Sequence, residues 1–113
     1  MPLLRVTTNK PLSETGQQQA VKTLSAAVAG LLGKPESYVM VILQVNSAML
    51  FAGSDSPLAY LELKSLGLPE DKTSEFSSAL CALASEQLGI AEDRTYIEFS
   101  SPPRHFWGWN SST

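Results

Sequence analysis

Pro2 is the first residue whose type and position could do chemistry. It heads the apolar, β-prone stretch PLLRVT, where a proline brings no backbone N–H for strand pairing. Removal of Met1, which is usual before a small second residue, would make Pro2 a chain-terminal secondary amine. Such an amine can hold a proton or accept one, so Pro2 is a candidate general base.

A terminal amine accepts a proton at neutral pH only if its pKa is lowered. An unperturbed α-amino group titrates near ~7.7–8.0 and is mostly charged at neutrality. Burial in an apolar pocket and a neighbouring cation both disfavour the charged form. Lys34 can supply the cation. The apolar residues that could form the pocket are Leu3, Leu4, Tyr38, Val39, Phe99, Trp107 and Trp109.

Other reactive side chains are scarce, which restricts the alternative chemistries. His105 is the only histidine and Cys81 the only cysteine, so the chain has no internal disulfide and no cysteine-rich or histidine-rich metal site. We expect His105 to be a structural or surface residue, and Cys81 to be a buried thiol beside Leu80 on a helix. No metal and no organic cofactor is predicted.

The charge balance restricts the binding partners. The net charge is −3, and the nearest two basic residues, Arg5 and Lys10, are separated in the chain, so there is no basic stripe. Nucleic-acid binding is therefore disfavoured. No apolar run reaches the roughly 20 residues of a membrane span, and no signal-peptide pattern is present, so we expect a cytoplasmic protein without membrane contact.

The elements that must position Pro2 form two similar halves. Apolar, β-prone runs predict strands, and apolar residues at helical spacing predict one helix in each half. The predicted strands are 2–7, 37–45, 57–66 and 94–99, and the predicted helices are 14–32 and 73–88. Ser13 is a plausible cap for the first helix, and Gly33 and Gly89 follow the two helix ends.

We predict a single α+β domain over residues 1–113. It contains a duplicated β-α-β unit with pseudo-repeats at about 2–45 and 57–99, followed by a C-terminal segment, 100–113. Two helices lie on one face of a four-stranded mixed sheet, and each crossover joins parallel strands. Because the strands read as apolar on both sides, we expect a partner subunit to cover the other face.

The order and spacing of five segments resemble the macrophage migration inhibitory factor family of the tautomerase superfamily. The segments are PLLRVTTNKP, GKPESYV, FAGSDSP…LKSLG, DRTYIEF and GWNSST. The resemblance covers essentially the whole chain. It implies the same β-α-β duplication that the periodicity predicts, and it adds a homotrimer with a central channel and active sites between subunits.

The resemblance also implies a keto–enol tautomerase that uses Pro2 as its general base. In this pattern Lys34 lies beside the proline and grips the carboxylate of an α-keto acid. The backbone around Ser65 and Leu66 binds the same carboxylate. The residues that line the pocket by this correspondence are Tyr38, Tyr96 and Trp109.

These residues also have plain structural interpretations. Lys34 would stabilise a helix C-terminus through its charge alone. Tyr38 and Tyr96 would open strands and only pack, and Trp109 would fill an interface.

Three segments depart from the family pattern. Glu98 stands where many relatives carry asparagine, and its carboxylate could repel an acidic substrate or raise the pKa of Pro2. Residues 58–61 lack the Cys-x-x-Cys of vertebrate members, so thiol–disulfide chemistry has no residues to use. Segment 102–107 is bulkier, and its Arg104 is either a carboxylate anchor or, as we favour here, a solvated surface residue.

Two functions from different classes remain. We favour an isomerase, a homotrimeric tautomerase that acts on phenylpyruvate-like α-keto acids and needs no cofactor. The alternative is a cytokine-like protein-interaction molecule with weak or vestigial tautomerase activity, which would leave the cell by a leaderless route and bind a receptor.

Overall fold

The computed structural model describes residues 1–113, and its elements follow the predicted β-α-β, β-α-β order. The strands are β1 (Leu3–Thr8), β2 (Met40–Gln44), β3 (Ala59–Lys64) and β4 (Thr95–Ser100), and the helices are α1 (Glu14–Leu32) and α2 (Thr73–Leu88). The sheet order is β2-β1-β3-β4. Strands β1 and β2 are parallel, β3 and β4 are parallel, and β1 is antiparallel to β3. The predicted α+β class with a four-stranded mixed sheet is confirmed.

Both helices end where the capping residues predict. The Ser13 side chain accepts a hydrogen bond from the N–H of Gly16 at the start of α1. Helix α1 stops at Gly33, with a φ of 63°, and α2 stops at Gly89, with a φ of 70°. A glycine adopts this left-handed conformation without a Cβ clash, so each helix terminates there and the chain turns toward the next element. Neither helix is long and apolar enough to cross a membrane.

The two helices pack on one face of the sheet. Alternate residues of β1 and β3 are buried beneath them, together with one stripe from each helix. These residues include Leu4, Val6, Leu61, Leu63, Ala20, Leu24, Val28, Phe76, Leu80 and Leu88. Cys81 is half-buried, so the prediction of a buried thiol is wrong. One residue step turns its side chain about 100° around α2 from the buried Leu80.

The outer face of the sheet is more polar than the sequence suggested. Strand β2 exposes Met40 and Ile42 there, but the other three strands present mainly polar side chains. The outward polar residues are Arg5, Thr7, Tyr60, Glu62, Lys64, Tyr96 and Glu98. The prediction of strands that are apolar on both sides is therefore wrong. Leu61 and Leu63 lie on the helix side, since successive strand residues point to opposite faces.

Residues 37–39 do not belong to the second strand. Glu36–Tyr38 form a 3₁₀ turn, in which the N–H of Val39 donates to the carbonyl oxygen of Glu36. The preceding Pro35, with a φ of −60°, directs the chain into this turn. Tyr38 therefore precedes β2 and does not open it.

The third strand also begins later than predicted, at Ala59. Pro57 has no N–H to donate, and the N–H of Leu58 donates to the side-chain Oδ1 of Asn9 at 3.0 Å. Regular pairing with β1 starts only after these two residues. The bounds of β1 and β4 differ from the predicted ones by one residue.

Arg94 fastens the long connection between β2 and β3 to the start of β4. Its guanidinium donates four hydrogen bonds of 2.9 to 3.2 Å to backbone carbonyl oxygens. The acceptors are Phe51, Ser54, Ser56 and Pro57. The guanidinium carbon also lies 5.2 Å from the centre of the Phe51 ring, and this ring lies 4.7 Å from that of Tyr96. Arg94 thereby sets the position of the loop against β4.

Replacing Arg94 should destabilise the protein. Arg94→Ala leaves four carbonyl oxygens without their charged donor, so we expect the free energy of unfolding to fall by ~1–3 kcal/mol. Arg94→Lys should restore less than half of this loss, because an ammonium group lacks the planar fork of donors. Urea unfolding at a fixed protein concentration measures both.

Arg5→Ala is the control for this prediction. Arg5 pairs with Glu62 at 3.8 Å on a partly exposed surface, and its removal should change the free energy of unfolding by less than about 1 kcal/mol. Equal unfolding midpoints for Arg94→Ala and Arg5→Ala would contradict the proposed role of Arg94.

Candidate active site

Pro2 lies at the end of the sheet where β1 and β2 begin and where β3 and β4 end. Since β1 runs antiparallel to β3, Leu3 pairs with Lys64, and the residues that follow β3 come to lie beside Pro2. Helix α1 returns to this same end and delivers Lys34. Pro2 is fully buried, and its carbonyl oxygen accepts a hydrogen bond of 3.0 Å from the N–H of Met40.

The Lys34 side chain is fixed by the segment that follows β3. Its Nζ donates to the carbonyl oxygen of Leu66 at 2.6 Å and to Oγ of Ser65 at 3.1 Å. Ser65 is buried, and its N–H donates to the carbonyl oxygen of Ser100 at 3.0 Å. An ammonium group has three protons, so one remains for another acceptor.

These contacts give Ser65 and Leu66 a positioning role. The carbonyl oxygen of Leu66 can only accept hydrogen bonds, so it cannot bind a carboxylate. The N–H of Ser65 is already engaged with Ser100. The N–H of Leu66 has no acceptor within the chain, so this N–H and the ammonium of Lys34, which Ser65 and Leu66 orient, are the groups on this side that can donate to an anion.

Two adjoining cavities, which share four lining residues and are called the first and second lobes here, lie beside Pro2. The first lobe, of about 250 Å³, is lined by Pro2 itself. The second lobe, of about 330 Å³, extends toward the C-terminal segment. Met1, Tyr38, Trp107 and Trp109 line both lobes. The rings of Tyr38 and Trp109 meet edge-to-face, with centroids 5.7 Å apart and 85° between their planes.

A tight turn presents Trp109 to the cavity. Trp109 and Ser112 exchange backbone hydrogen bonds of 2.9 and 3.0 Å. The two residues between them, Asn110 and Ser111, have φ values of 51° and 62°. Two consecutive left-handed residues define the narrow reverse turn that also closes β-hairpins.

The electrostatic environment of the cavity is positive. Burial lowers the pKa of the amino terminus at Met1, and the charges of Lys34 and Arg104 lower it further. No aspartate or glutamate side chain lines either lobe. An amine at this position is therefore shifted toward its neutral form.

The sequence favoured a surface role for Arg104 and indicated Trp107 only as one of several apolar residues that could form the pocket. Arg104 is exposed, as expected, but its side chain also lines the second lobe, and Trp107 lines both. The departure of segment 102–107 from the family pattern was the signal that pointed to them.

No group of three or more His, Cys, Asp or Glu side chains lies close enough together to hold a metal ion.

Tyr96 and Glu98 do not share this cavity with Pro2 in the same chain. Tyr96 pairs with Tyr60 near the opposite end of the strands. From strand rise and spacing, Tyr96 lies on the order of 15–20 Å from Pro2. It lines a separate apolar pocket of about 360 Å³ next to Leu50.

Glu98 is oriented by a hydrogen bond on the outer face of the sheet. The Tyr60 hydroxyl donates to Oε2 of Glu98 at 2.9 Å. This bond, reinforced by burial and by the charges of Glu98 and Glu62, raises the pKa of Tyr60 to about 12. Tyr60 therefore remains a donor throughout the neutral range and holds the Glu98 carboxylate in place.

Comparison with known proteins identifies the family. The family model described as macrophage migration inhibitory factor (MIF) matches residues 1–113. The macrophage migration inhibitory factor homolog of Trichuris trichiura is 37% identical over 100% of this chain and 99% of its own length. D-dopachrome decarboxylase-B of Xenopus laevis is 34% identical over 88% of this chain and 85% of its own.

A solved structure agrees with this assignment. The crystal structure of the macrophage migration inhibitory factor homologue from Prochlorococcus marinus has a TM-score of 0.91 and 40% identity to this chain. The match covers 98% of this chain and 97% of that one. The chain therefore belongs to the macrophage migration inhibitory factor family.

Proposed function

We propose that this protein is a keto–enol tautomerase that acts on phenylpyruvate-like α-keto acids. Pro2 is the general base once Met1 has been removed. The observation that carries the proposal is the buried proline next to a fixed ammonium group, that of Lys34, which keeps one proton for another acceptor. Family membership supports it, and the Xenopus relative carries an enzyme's name.

The surroundings of Pro2 favour a neutral amine. The burial and the positive charges that lower the pKa of the terminus at Met1 surround the adjoining Pro2 nitrogen as well. With Met1 in place that nitrogen belongs to a tertiary amide and accepts no proton. After removal of Met1 it becomes a secondary amine, and the same effects hold its pKa below the ordinary range.

The reaction transfers one proton between two positions of the substrate. The neutral Pro2 nitrogen takes a proton from the carbon next to the ketone, and the electron pair of that C–H bond moves to form the enol system. The proton then goes to the enol oxygen, and in the reverse direction to the carbon. Lys34 binds the carboxylate, and the Tyr38 and Trp109 rings contact the aryl group.

We infer that the site is completed in a homotrimer, where Tyr96 and Glu98 of a neighbouring subunit reach the cavity beside Pro2. The long separation of these residues from Pro2 within one chain supports this arrangement. The exposure of Tyr96, at 65%, and of the adjoining Leu50, at 70%, also supports it, because such an apolar patch favours association.

The cytokine-like alternative stays a second hypothesis. No feature of the structure specifically favours a receptor-binding surface over the cavity. The cytoplasmic location also stays a prediction.

Activity should depend on a free amine at Pro2. The processed chain should tautomerise phenylpyruvate, while the same chain with Met1 retained, and Pro2→Gly in processed form, should be slower by roughly 10²–10⁴-fold, the usual contribution of a positioned base. Intact-mass measurement gives the processed fraction, and the absorbance of the enol gives the rate. Pro11→Gly, at an exposed proline outside the cavity, should retain the wild-type rate. Equal rates with and without Met1 would exclude Pro2 as the base.

Loss of the Lys34 charge should change both binding and pH dependence. Lys34→Met removes the carboxylate-binding group, so KM should rise. It also removes a cation that disfavours the protonated amine, so the pKa of Pro2 should rise and the acidic limb of the kcat/KM profile should move to higher pH. Lys22→Met, on the exposed side of α1, is the control. An unmoved profile together with an unchanged KM would contradict the role of Lys34.

A site shared between subunits should show complementation. Pro2→Gly and Tyr96→Ala trimers should each have low activity. Subunit exchange between them should restore activity at about a quarter of the sites, because random mixing pairs an intact Pro2 with an intact neighbouring Tyr96 at that frequency. The rate measured before and after mixing tests this. No recovery after exchange, demonstrated by mass spectrometry of mixed trimers, would place the whole site within one subunit.

A further inference from the structure

The second lobe of the cavity contains a guanidinium group that the proposed reaction does not use. Arg104 lines this lobe together with Met1, Leu66 and Trp107. Its backbone is held by a 3₁₀ turn, Arg104–Phe106, that follows Pro103, and the carbonyl oxygen of Arg104 accepts a hydrogen bond from the N–H of Trp107 at 3.2 Å. Arg104 therefore projects from a turn that also positions one aromatic wall of the lobe.

The charge of Arg104 is not neutralised within the chain. The only ion pair in the structure joins Arg5 to Glu62 on the outer face of the sheet. The Arg104 side chain makes no hydrogen bond, and Thr113, which also lines the lobe, forms no ion pair with it through its α-carboxylate. A guanidinium next to aromatic side chains and without a carboxylate of its own is well suited to bind an anion from solution.

Two cationic side chains border the cavity. Lys34 donates to the carbonyl oxygen of Leu66, which lines the second lobe, and Arg104 lines that lobe itself. A monocarboxylate such as phenylpyruvate uses only the first. The Tyr38, Trp107 and Trp109 rings line both lobes and suit an aromatic or unsaturated body.

We propose that Arg104 is a specificity-determining residue that binds a second carboxylate, so that this enzyme prefers α-keto acids with an additional carboxylate at the far end. The proposal rests on the proposed function, because it assigns a substrate class to the same cavity. The guanidinium fork would bind the distal carboxylate with two parallel hydrogen bonds. Lys34 would bind the carboxylate next to the ketone, which places the carbon to be deprotonated at Pro2.

The test compares two substrates that differ only in one charge. Para-carboxyphenylpyruvate carries the second carboxylate, and para-carbamoylphenylpyruvate is its neutral isostere. The measured quantity is the ratio of their kcat/KM values in the processed protein. This ratio cancels any effect of Arg104 on the pKa of Pro2, since both substrates depend equally on the base.

The wild-type ratio should favour the carboxylate, and Arg104→Gln should lower the ratio roughly tenfold, mainly through KM, as expected for loss of a charge-assisted pair. Arg104→Lys should restore part of the preference. His105→Gln, in the same turn but outside both lobes, should leave the ratio at its wild-type value. An equal loss for both substrates in Arg104→Gln would overturn the proposal, since Arg104 would then act through the base or through a pairing inside the protein. No loss for either substrate would also overturn it, since Arg104 would then not bind the second carboxylate.

A binding measurement separates this proposal from the proposed function. Titration of the tryptophan fluorescence with each compound reports occupancy of the lobes that Trp107 and Trp109 line. If neither compound reacts but the carboxylate still binds more tightly, and Arg104→Gln removes that difference, the tautomerase assignment fails and the anion site stands. If both compounds react but bind and react equally well, the tautomerase assignment stands and the second carboxylate site fails.

Discussion

The antiparallel pairing of β1 with β3 is the constraint on which the candidate site depends. It places the first residue of one β-α-β unit beside the residues that follow the first strand of the other, so Pro2 lies beside Ser65 and Leu66. The parallel pairing within each unit then brings the C-terminal end of α1, with Lys34, to the same end of the sheet. A shift of one residue in the β1–β3 register would turn Leu4 outward and separate Lys34 from its acceptors, because side chains alternate along a strand.

In the proposed function, the cations near Pro2 serve two physical purposes at once. A positive charge lowers the pKa of a neighbouring amine, and it also attracts the carboxylate of an α-keto acid. Fixing that charge matters as much as supplying it, since a mobile lysine would be screened by water. The contacts of Lys34 with Leu66 and Ser65, at 2.6 and 3.1 Å, supply that rigidity before any ligand is present. In the proposed mechanism, binding and base activation therefore depend on the same preorganised group.

Local sequence signals predicted the helices better than the strands. Ser13, Gly33 and Gly89 act through backbone conformation and capping, which depend on nearest neighbours, so both helices have the predicted bounds. Tyr38 was assigned to a strand because its β propensity hid the turn that Pro35 begins. Contacts distant in sequence, such as those of Arg94 with the loop before β3, leave no periodic signal. The site residues came from the family resemblance, and their positions required the sheet topology.

Glu98 and Arg104 are two charged residues at positions that depart from the family pattern. Their charges have opposite signs, and in the proposed trimer both residues lie near the same cavity. Glu98 stands where the family resemblance implies an asparagine in many members, and the Tyr60 hydroxyl holds it in one orientation. Brought to the cavity of a neighbouring subunit, its carboxylate would favour the protonated amine of Pro2 and oppose the base. Arg104, whose charge lowers the pKa of the terminus, acts in the opposite sense. In the proposed trimer Arg104 thus offsets part of the effect of Glu98 on the base, even though Arg104 is exposed in the single chain.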